Sequence, residues 1–170
     1  MHLRLRKCIS AAAAIILIIA AAVSLTARSG YYLTLRNRDT GEVYARYRMS
    51  EGDRFSVTFI HSVNHYPLTD TYEICDNTIY VEETTYCSFG AGVQTELNPG
   101  EELSEVYIDR PDYKGRGMVI SNIHQDRTNV GYIVGTVYDH VLSVNGEEVS
   151  LRDLCGRNAP VRFNYEYWLF

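Results

Sequence analysis

Three short segments hold the side chains best able to do chemistry: Phe59-Ile60-His61-Ser62-Val63-Asn64-His65-Tyr66-Pro67, Ser88-Phe89-Gly90-Ala91-Gly92 and Val134-Gly135-Thr136-Val137-Tyr138-Asp139-His140. His61, Ser62, Asp139 and His140 are the residue types of a Ser–His hydrolase, in which an imidazole takes the hydroxyl proton and a carboxylate orients the ring. Their spacing argues against that chemistry. Neighbours on a strand point to opposite faces, so His61 and Ser62 enter one site only where the strand ends or bulges. No Gly-x-Ser-x-Gly elbow surrounds Ser62 or Ser88. His61 falls in register with Phe55, Val57 and Phe59, and reads as a hydrogen-bonded histidine at the edge of a core.

Metal binding is the alternative use of the same groups. His61 and His65, joined in space by Asp139 and His140, offer nitrogen and oxygen ligands. Yet the two histidines are separated by an apparent turn, and no His-Glu-x-x-His is present. Asp139 and His140 equally suit a structural duty, orienting a tight strand end through local hydrogen bonds. Gly90 and Gly92 form only a Gly-x-Gly, without the dinucleotide fingerprint or the lysine of a phosphate loop. Their backbone can still turn sharply or approach a ligand closely. Pro67 reads as the first residue of an edge strand, where a missing N–H is harmless, with a rigid binding loop as the sharper alternative. The binding set is therefore His61, Ser62, Pro67, Ser88, Gly90, Gly92, Asp139 and His140. No catalytic residue, metal ligand or cofactor is assigned. Convergence of His61, Ser88 and His140 on a concave surface would favour a site; separate burial would favour packing roles.

These residues sit on elements that the sequence pattern outlines. Val43, Ala45 and Tyr47 alternate with Tyr44, Arg46 and Arg48; Phe55, Val57 and Phe59 alternate with Ser56, Thr58 and Ile60. Val161, Phe163, Tyr165 and Tyr167 do the same near the C-terminus. Such alternation marks strands with one buried face. Turn signals recur at Asp39-Thr40-Gly41, Glu51-Gly52-Asp53, Asp76-Asn77, Asn98-Pro99-Gly100 and Asn145-Gly146, the last a strong two-residue hairpin signal. The pattern predicts strands near 31–36, 43–48, 55–63, 68–75, 78–87, 105–109, 118–124, 130–142 and 160–168, with a short helical turn over 150–155. Gly92–Leu103 and Arg110–Gly117 read as loops, the usual place for binding on a β scaffold. The fold class is all-β: a single β-sandwich or partly closed barrel, preceded by an N-terminal hydrophobic helix.

That N-terminal stretch differs from all that follows. Arg4, Arg6 and Lys7 precede an apolar run from Ile9 to Leu25, about 17 residues, at the short end of what spans a bilayer core. Positive then apolar is the order of a secretory signal or signal anchor, with the basic side left in the cytoplasm. Residues 1–30 are thus expected to be a signal anchor or signal peptide, and 31–170 an extracytoplasmic domain at the cytoplasmic membrane. Leu25-Thr26-Ala27 is a poor cleavage match, which favours an uncleaved anchor; cleavage near Ala27 would release a secreted protein. Of 16 basic and 21 acidic residues, four basic ones precede residue 31, so the remainder holds 12 against 21, a formal charge of −9. Such acidity disfavours nucleic-acid binding, which rests on neutralising phosphates. Cys75, Cys87 and Cys155 include no Cys-x-x-Cys and cannot all pair within one molecule. An Asp76-Asn77 hairpin would set Cys75 opposite Thr78, not Cys87; a disulfide of either with Cys155 stays open, and free thiols are the simplest expectation.

Together the three segments resemble the bacterial domain of unknown function 1850 family. The likeness rests on His61-Ser62-Val63 through Pro67, Ser88-Phe89-Gly90-Ala91-Gly92, and Gly135-Thr136-Val137-Tyr138-Asp139-His140, and covers most of the chain from about Tyr31. Two positions depart from it: Asp70 stands where Glu is expected, and Gln94 where Pro often follows. The resemblance implies no activity to transfer. It implies a context, since such domains are encoded beside or fused to permeases of tripartite ATP-independent periplasmic transporters with TAXI-type solute-binding proteins. The leading expectation is a non-enzymatic, membrane-anchored accessory of such an uptake system, contacting the permease or its solute-binding protein. A metal- or small-ligand-binding domain and a Ser/His hydrolase are the alternatives.

Overall fold

The computed structural model describes residues 15–20, 28–88, 94 and 96–170. Gly90, Gly92 and most of the N-terminal apolar segment fall outside the described residues. Residues 15–20 are helical, and among the described residues no helix is long and apolar enough to cross a membrane.

The described strands, in chain order, are β1 (Gly30–Asn37), β2 (Val43–Arg48), β3 (Arg54–Ile60), β4 (Pro67–Cys75), β5 (Thr78–Tyr86) and β6 (Glu102–Arg110). They continue with β7 (Tyr113–Ser121), β8 (Gln125–Asp126), β9 (Val130–Ile133), β10 (His140–Val144), β11 (Glu147–Ser150) and β12 (Pro160–Trp168), with a short helix Leu151–Cys155 before the last. One sheet runs β2-β1-β12-β9; the other runs β11-β10-β3-β4-β5-β7-β6, with β8 paired to β5. Both sheets are open, so the barrel alternative is set aside in favour of two sheets sharing a core.

Period-two alternation explains that core. Leu33 and Leu35 of β1, and Val161 and Phe163 of β12, pack in one cluster with Phe55 and Val57 of β3, Tyr72 and Ile74 of β4, and Leu142 and Val144 of β10. Phe55 stacks on Tyr72 at 4.9 Å and tilts against Phe163 from the other sheet at 5.5 Å. Each such fully buried side chain contributes about 1.5–3 kcal/mol relative to exposure. A second cluster of Leu68, Tyr86 and Ile120, with Phe59, Met118 and Ile123 against it, continues the larger sheet.

Contacts divide the chain into two units, Met1–Tyr31 with Glu166–Phe170, and Tyr32–Tyr165. In the first, Tyr31 meets Tyr167 edge to face at 5.3 Å, and the Phe170 N–H donates to Ser29 Oγ. The second holds the shared core and every cavity described below.

The hairpins follow the turn chemistry. Asp76 and Asn77 both adopt positive φ, as do Asn145 and Gly146, and Cys75 pairs with Thr78 as expected. Cys75, Cys87 and Cys155 are free thiols, each partly buried. Ser150 caps the helix by accepting the Asp153 N–H.

Four expectations are corrected. The strand expected over 55–63 stops at Ile60, because residues 61–66 fold into a turn. The run expected as one strand over 130–142 is two, β9 and β10, in different sheets. Arg110–Gly117 is not a loop: β6 and β7 form a hairpin turning at Pro111-Asp112. Pro67 does begin a strand, but β4 lies between β3 and β5 and is interior; as the first residue, its missing N–H still disrupts little.

Candidate functional site

The His61–Tyr66 turn is closed by its own backbone. The His61 N–H donates to the Tyr66 carbonyl at 2.8 Å, and the His65 N–H to the His61 carbonyl at 2.9 Å. The Val63 N–H donates to His61 Nδ1 at 3.3 Å, so that ring nitrogen helps shape the turn. Asn64 Nδ2 reaches the Ser88 carbonyl at 3.1 Å, tying the second segment to the first. Pro67 continues into β4 opposite Ile60, and its carbonyl accepts from the Cys87 thiol at 3.6 Å.

The third segment carries the chain from one sheet to the other. Val134 is buried, and its N–H donates to the Ala159 carbonyl at 3.0 Å. Gly135 then donates its N–H to His140 Nδ1 at 3.1 Å. A Cβ on Gly135 would stand 2.0 Å from the Tyr138 carbonyl oxygen, so only glycine fits there. His140 stacks on Phe59 at 4.9 Å and meets Tyr132 edge to face at 5.5 Å. Burial holds its imidazole below the ordinary value, with Arg152 acting the same way and Asp139 opposing. The ring is therefore neutral at pH 7, and because Nδ1 accepts, the proton sits on Nε2.

Asp139 is occupied to a similar degree. Its Oδ1 accepts the His140 N–H at 2.7 Å and the Arg152 N–H at 3.0 Å, while Oδ2 accepts the Ser150 hydroxyl at 2.5 Å. The carboxylate thereby clasps the crossover to the start of the short helix, whose first N–H groups lack intrahelical partners. Gly135, Asp139 and His140 act as structural fixtures of a sheet-to-sheet crossover.

The sequence-derived set converges only in part. His61, Ser62 and His140, together with Gly135 of the crossover, line one cavity of about 380 Å³ between the turn and the crossover. Asp139 faces a neighbouring cavity of about 400 Å³. Ser88 and Pro67 line neither cavity. Ser62 is exposed, and among the described residues no hydrogen bond joins it to either ring. Nor do the potential donor atoms of His61, His65, Asp139 and His140 gather; among the described residues those of Glu51, Cys75 and Asp76 lie within 4.8 Å of one another at a surface turn.

A different cavity brings more polar chemistry together. About 550 Å³ in volume, it opens between β4 and β5 of one sheet and β9 of the other, with His61 at one side. Asp70 of β4 lies half-buried in its wall. Thr84 Oγ1 donates to Asp70 Oδ1 at 2.9 Å, and the Tyr132 hydroxyl donates to Oδ2 at 3.1 Å. Tyr72 and Tyr132 hydroxyls lie 2.6 Å apart. Since the Tyr132 proton goes to the carboxylate, Tyr72 is the donor to Tyr132, giving a chain Tyr72 to Tyr132 to Asp70 that bridges the sheets.

Burial pushes the Asp70 carboxyl above the usual carboxylate range, against the pull of the Thr84 and Tyr132 hydrogen bonds and the Arg127 charge. Burial, reinforced by the Asp70 charge, raises both phenols, so Tyr72 and Tyr132 remain protonated donors. Among the described residues Asp70 makes no ion pair; Arg127, exposed, lines the same cavity. Asp70, Tyr72, Thr84, Arg127 and Tyr132 are absent from the sequence-derived set. One signal for them exists: Leu68, Asp70, Tyr72 and Ile74 form one inward row, and an acid in such a row requires partners. Asp70 and Gln94, the two departures from the family resemblance, both line this cavity.

A family model described as Domain of unknown function (DUF1850) matches residues 55–151, more than half of the chain. The chain belongs to this family. No curated protein and no solved structure matches it. The DUF1850 match runs from β3 to the start of the short helix and contains the turn, the crossover and every lining residue of the inter-sheet cavity.

Proposed function

We propose that this DUF1850 domain is a non-enzymatic accessory of a TAXI-type tripartite uptake system. It works outside the cytoplasmic membrane and takes a small polar solute into the inter-sheet cavity. The observation that carries the binding role is a cavity of about 550 Å³ with a half-buried carboxylate that makes no ion pair among the described residues. Small-molecule sites commonly enclose about 300–1,000 Å³ and orient their ligand with a few fixed polar groups. Here Asp70 is held by Thr84 and Tyr132 from two other strands, so its oxygens are positioned before any ligand arrives.

Binding rather than turnover is favoured by how the catalytic-looking residues are employed. The Asp139 carboxylate takes three protein donors, and His140 Nδ1 accepts from the backbone. The location and the transporter context rest on the basic-then-apolar N-terminus and on the family resemblance. Two measurements test the whole reading: uptake in a strain lacking the protein, and mild crosslinking of native membranes. Reduced uptake with transporter components captured is the expected outcome. Unchanged uptake together with no captured permease or solute-binding protein would reject the accessory role.

A further inference from the structure

We propose that the inter-sheet cavity takes a zwitterionic amine, its ammonium group against Asp70 and its carboxylate towards Arg127. This assignment rests on the binding role proposed above and names the ligand class. Each Asp70 oxygen already accepts one hydrogen bond, from Thr84 or Tyr132, and an ionised carboxylate oxygen has room for a second. Any ligand group that fills the remaining positions must donate. Ammonium donates three N–H bonds and brings a positive charge into direct contact with an acid that Arg127 reaches only at longer range.

The surrounding walls suit such a group. Phe59, Tyr72 and Tyr132 line the cavity, with the Phe59 and Tyr132 rings edge to face at 5.9 Å. Aromatic rings beside a carboxylate attract an organic cation through the negative faces of the rings. At the exposed side stands Arg127, whose charge already reaches Asp70 and which makes no ion pair among the described residues. Its guanidinium offers a planar, two-pronged donor set to a ligand carboxylate. Gln94, Gln125 and Asn129 add neutral polar side chains to the cavity lining.

The same geometry disfavours other classes. A dicarboxylate would place a second negative charge near Asp70, and like charges at a poorly solvated site repel. A divalent cation would find one carboxylate, where hard cations take six or more oxygen ligands. A sugar would satisfy the hydrogen bonds but bring no charge into contact with either Asp70 or Arg127.

Isothermal titration calorimetry on the full chain tests this with glycine, β-alanine, 4-aminobutanoate and 5-aminopentanoate, a series that varies the distance between the two charges. Butylamine, butanoate, succinate and glucose serve as single-feature probes. At least one amino acid of the series is expected to bind tenfold or more tightly than butylamine or butanoate. Asp70→Asn, nearly isosteric, should abolish that binding. Arg127→Gln, at an exposed position, should bring the amino acid and butylamine to within about threefold of each other. Binding of succinate or glucose with none of the amines would overturn the zwitterion assignment while leaving a binding cavity in place. Heat from none of the eight probes would overturn this assignment and the small-solute binding role together, leaving the accessory role to the uptake measurement. An amino acid that binds Asp70→Asn as tightly as the native chain would also overturn it.

Discussion

Asp139→Ala separates a structural clasp from a functional acid. The native carboxylate accepts the Ser150 hydroxyl at 2.5 Å, the His140 N–H at 2.7 Å and the Arg152 N–H at 3.0 Å. Hydrogen bonds to a charged group contribute about 1.5–3 kcal/mol each, so three amount to roughly 4–9 kcal/mol before water is considered. Asp139 is only half-buried, and water can reach the freed donors. Halving the lower end of that range gives an expected loss of about 2 kcal/mol. Urea unfolding followed by far-ultraviolet circular dichroism measures it. Ser150→Ala should lose about 1–2 kcal/mol, because it removes one of the three bonds and also the cap that accepts the Asp153 N–H. The two losses should be less than additive in the double variant, since both report the same hydroxyl–carboxylate bond. A loss under about 1 kcal/mol for Asp139→Ala, or strict additivity, would refute the clasp.

Gly135→Ala should destabilise by about 2 kcal/mol or more and broaden unfolding, because the new methyl meets the Tyr138 carbonyl oxygen at 2.0 Å and backbone must shift; a change within about 0.5 kcal/mol would show that the crossover yields easily. His140, faced by Phe59, Tyr132, Asp139 and Arg152, is held below its ordinary value, so the unfolded chain protonates first on acidification. Stability should therefore fall as pH drops from the ordinary histidine value towards the lower folded one, and His140→Gln should flatten that limb. Asp70, faced by Tyr72, Thr84, Tyr132 and the Arg127 charge, is shifted upward, so the folded chain binds the proton more tightly. Its contribution has the opposite slope: stability falls as pH rises above the ordinary carboxylate value through the folded one, and Asp70→Asn should remove that limb. Urea midpoints at a series of pH values resolve both slopes. Burial pushes the Cys155 thiol up to about 11, so iodoacetamide at about pH 8 should label it slowly in the folded chain and quickly in urea. Rapid labelling of the folded chain would place that thiol in a more open setting.

Much of the architecture was legible from neighbouring residues alone. Alternation of Phe55, Val57 and Phe59 marks β3, the Asp76-Asn77 and Asn145-Gly146 pairs mark their hairpins, and Ser150 marks the helix start. Backbone geometry sets these features within a few residues: side chains alternate with period two, and positive φ favours Asn, Asp and Gly. The same local rules misplaced the segment from Val130 to Leu142. An unbroken β-rich run gives no sign that the chain leaves one sheet at Ile133 and joins another at His140. That change depends on partners far away in sequence: β12 beside β9, and β3 beside β10.

The polar cavity follows the same division. His61, Asp139 and His140 stood out by residue type and motif, yet two of them spend their polar atoms on the crossover. Asp70 stood out in sequence only as a departure from the family resemblance, because its significance lies in its partners, Thr84 on the next strand and Tyr132 on the opposite sheet, 62 positions away. Residue chemistry and turn propensity act over a few neighbours, and so they are written in the order of the chain. Which acid is buried, and which hydroxyls and charges face it, is set by the packing of two sheets, where long-range pairing decides the environment of each group.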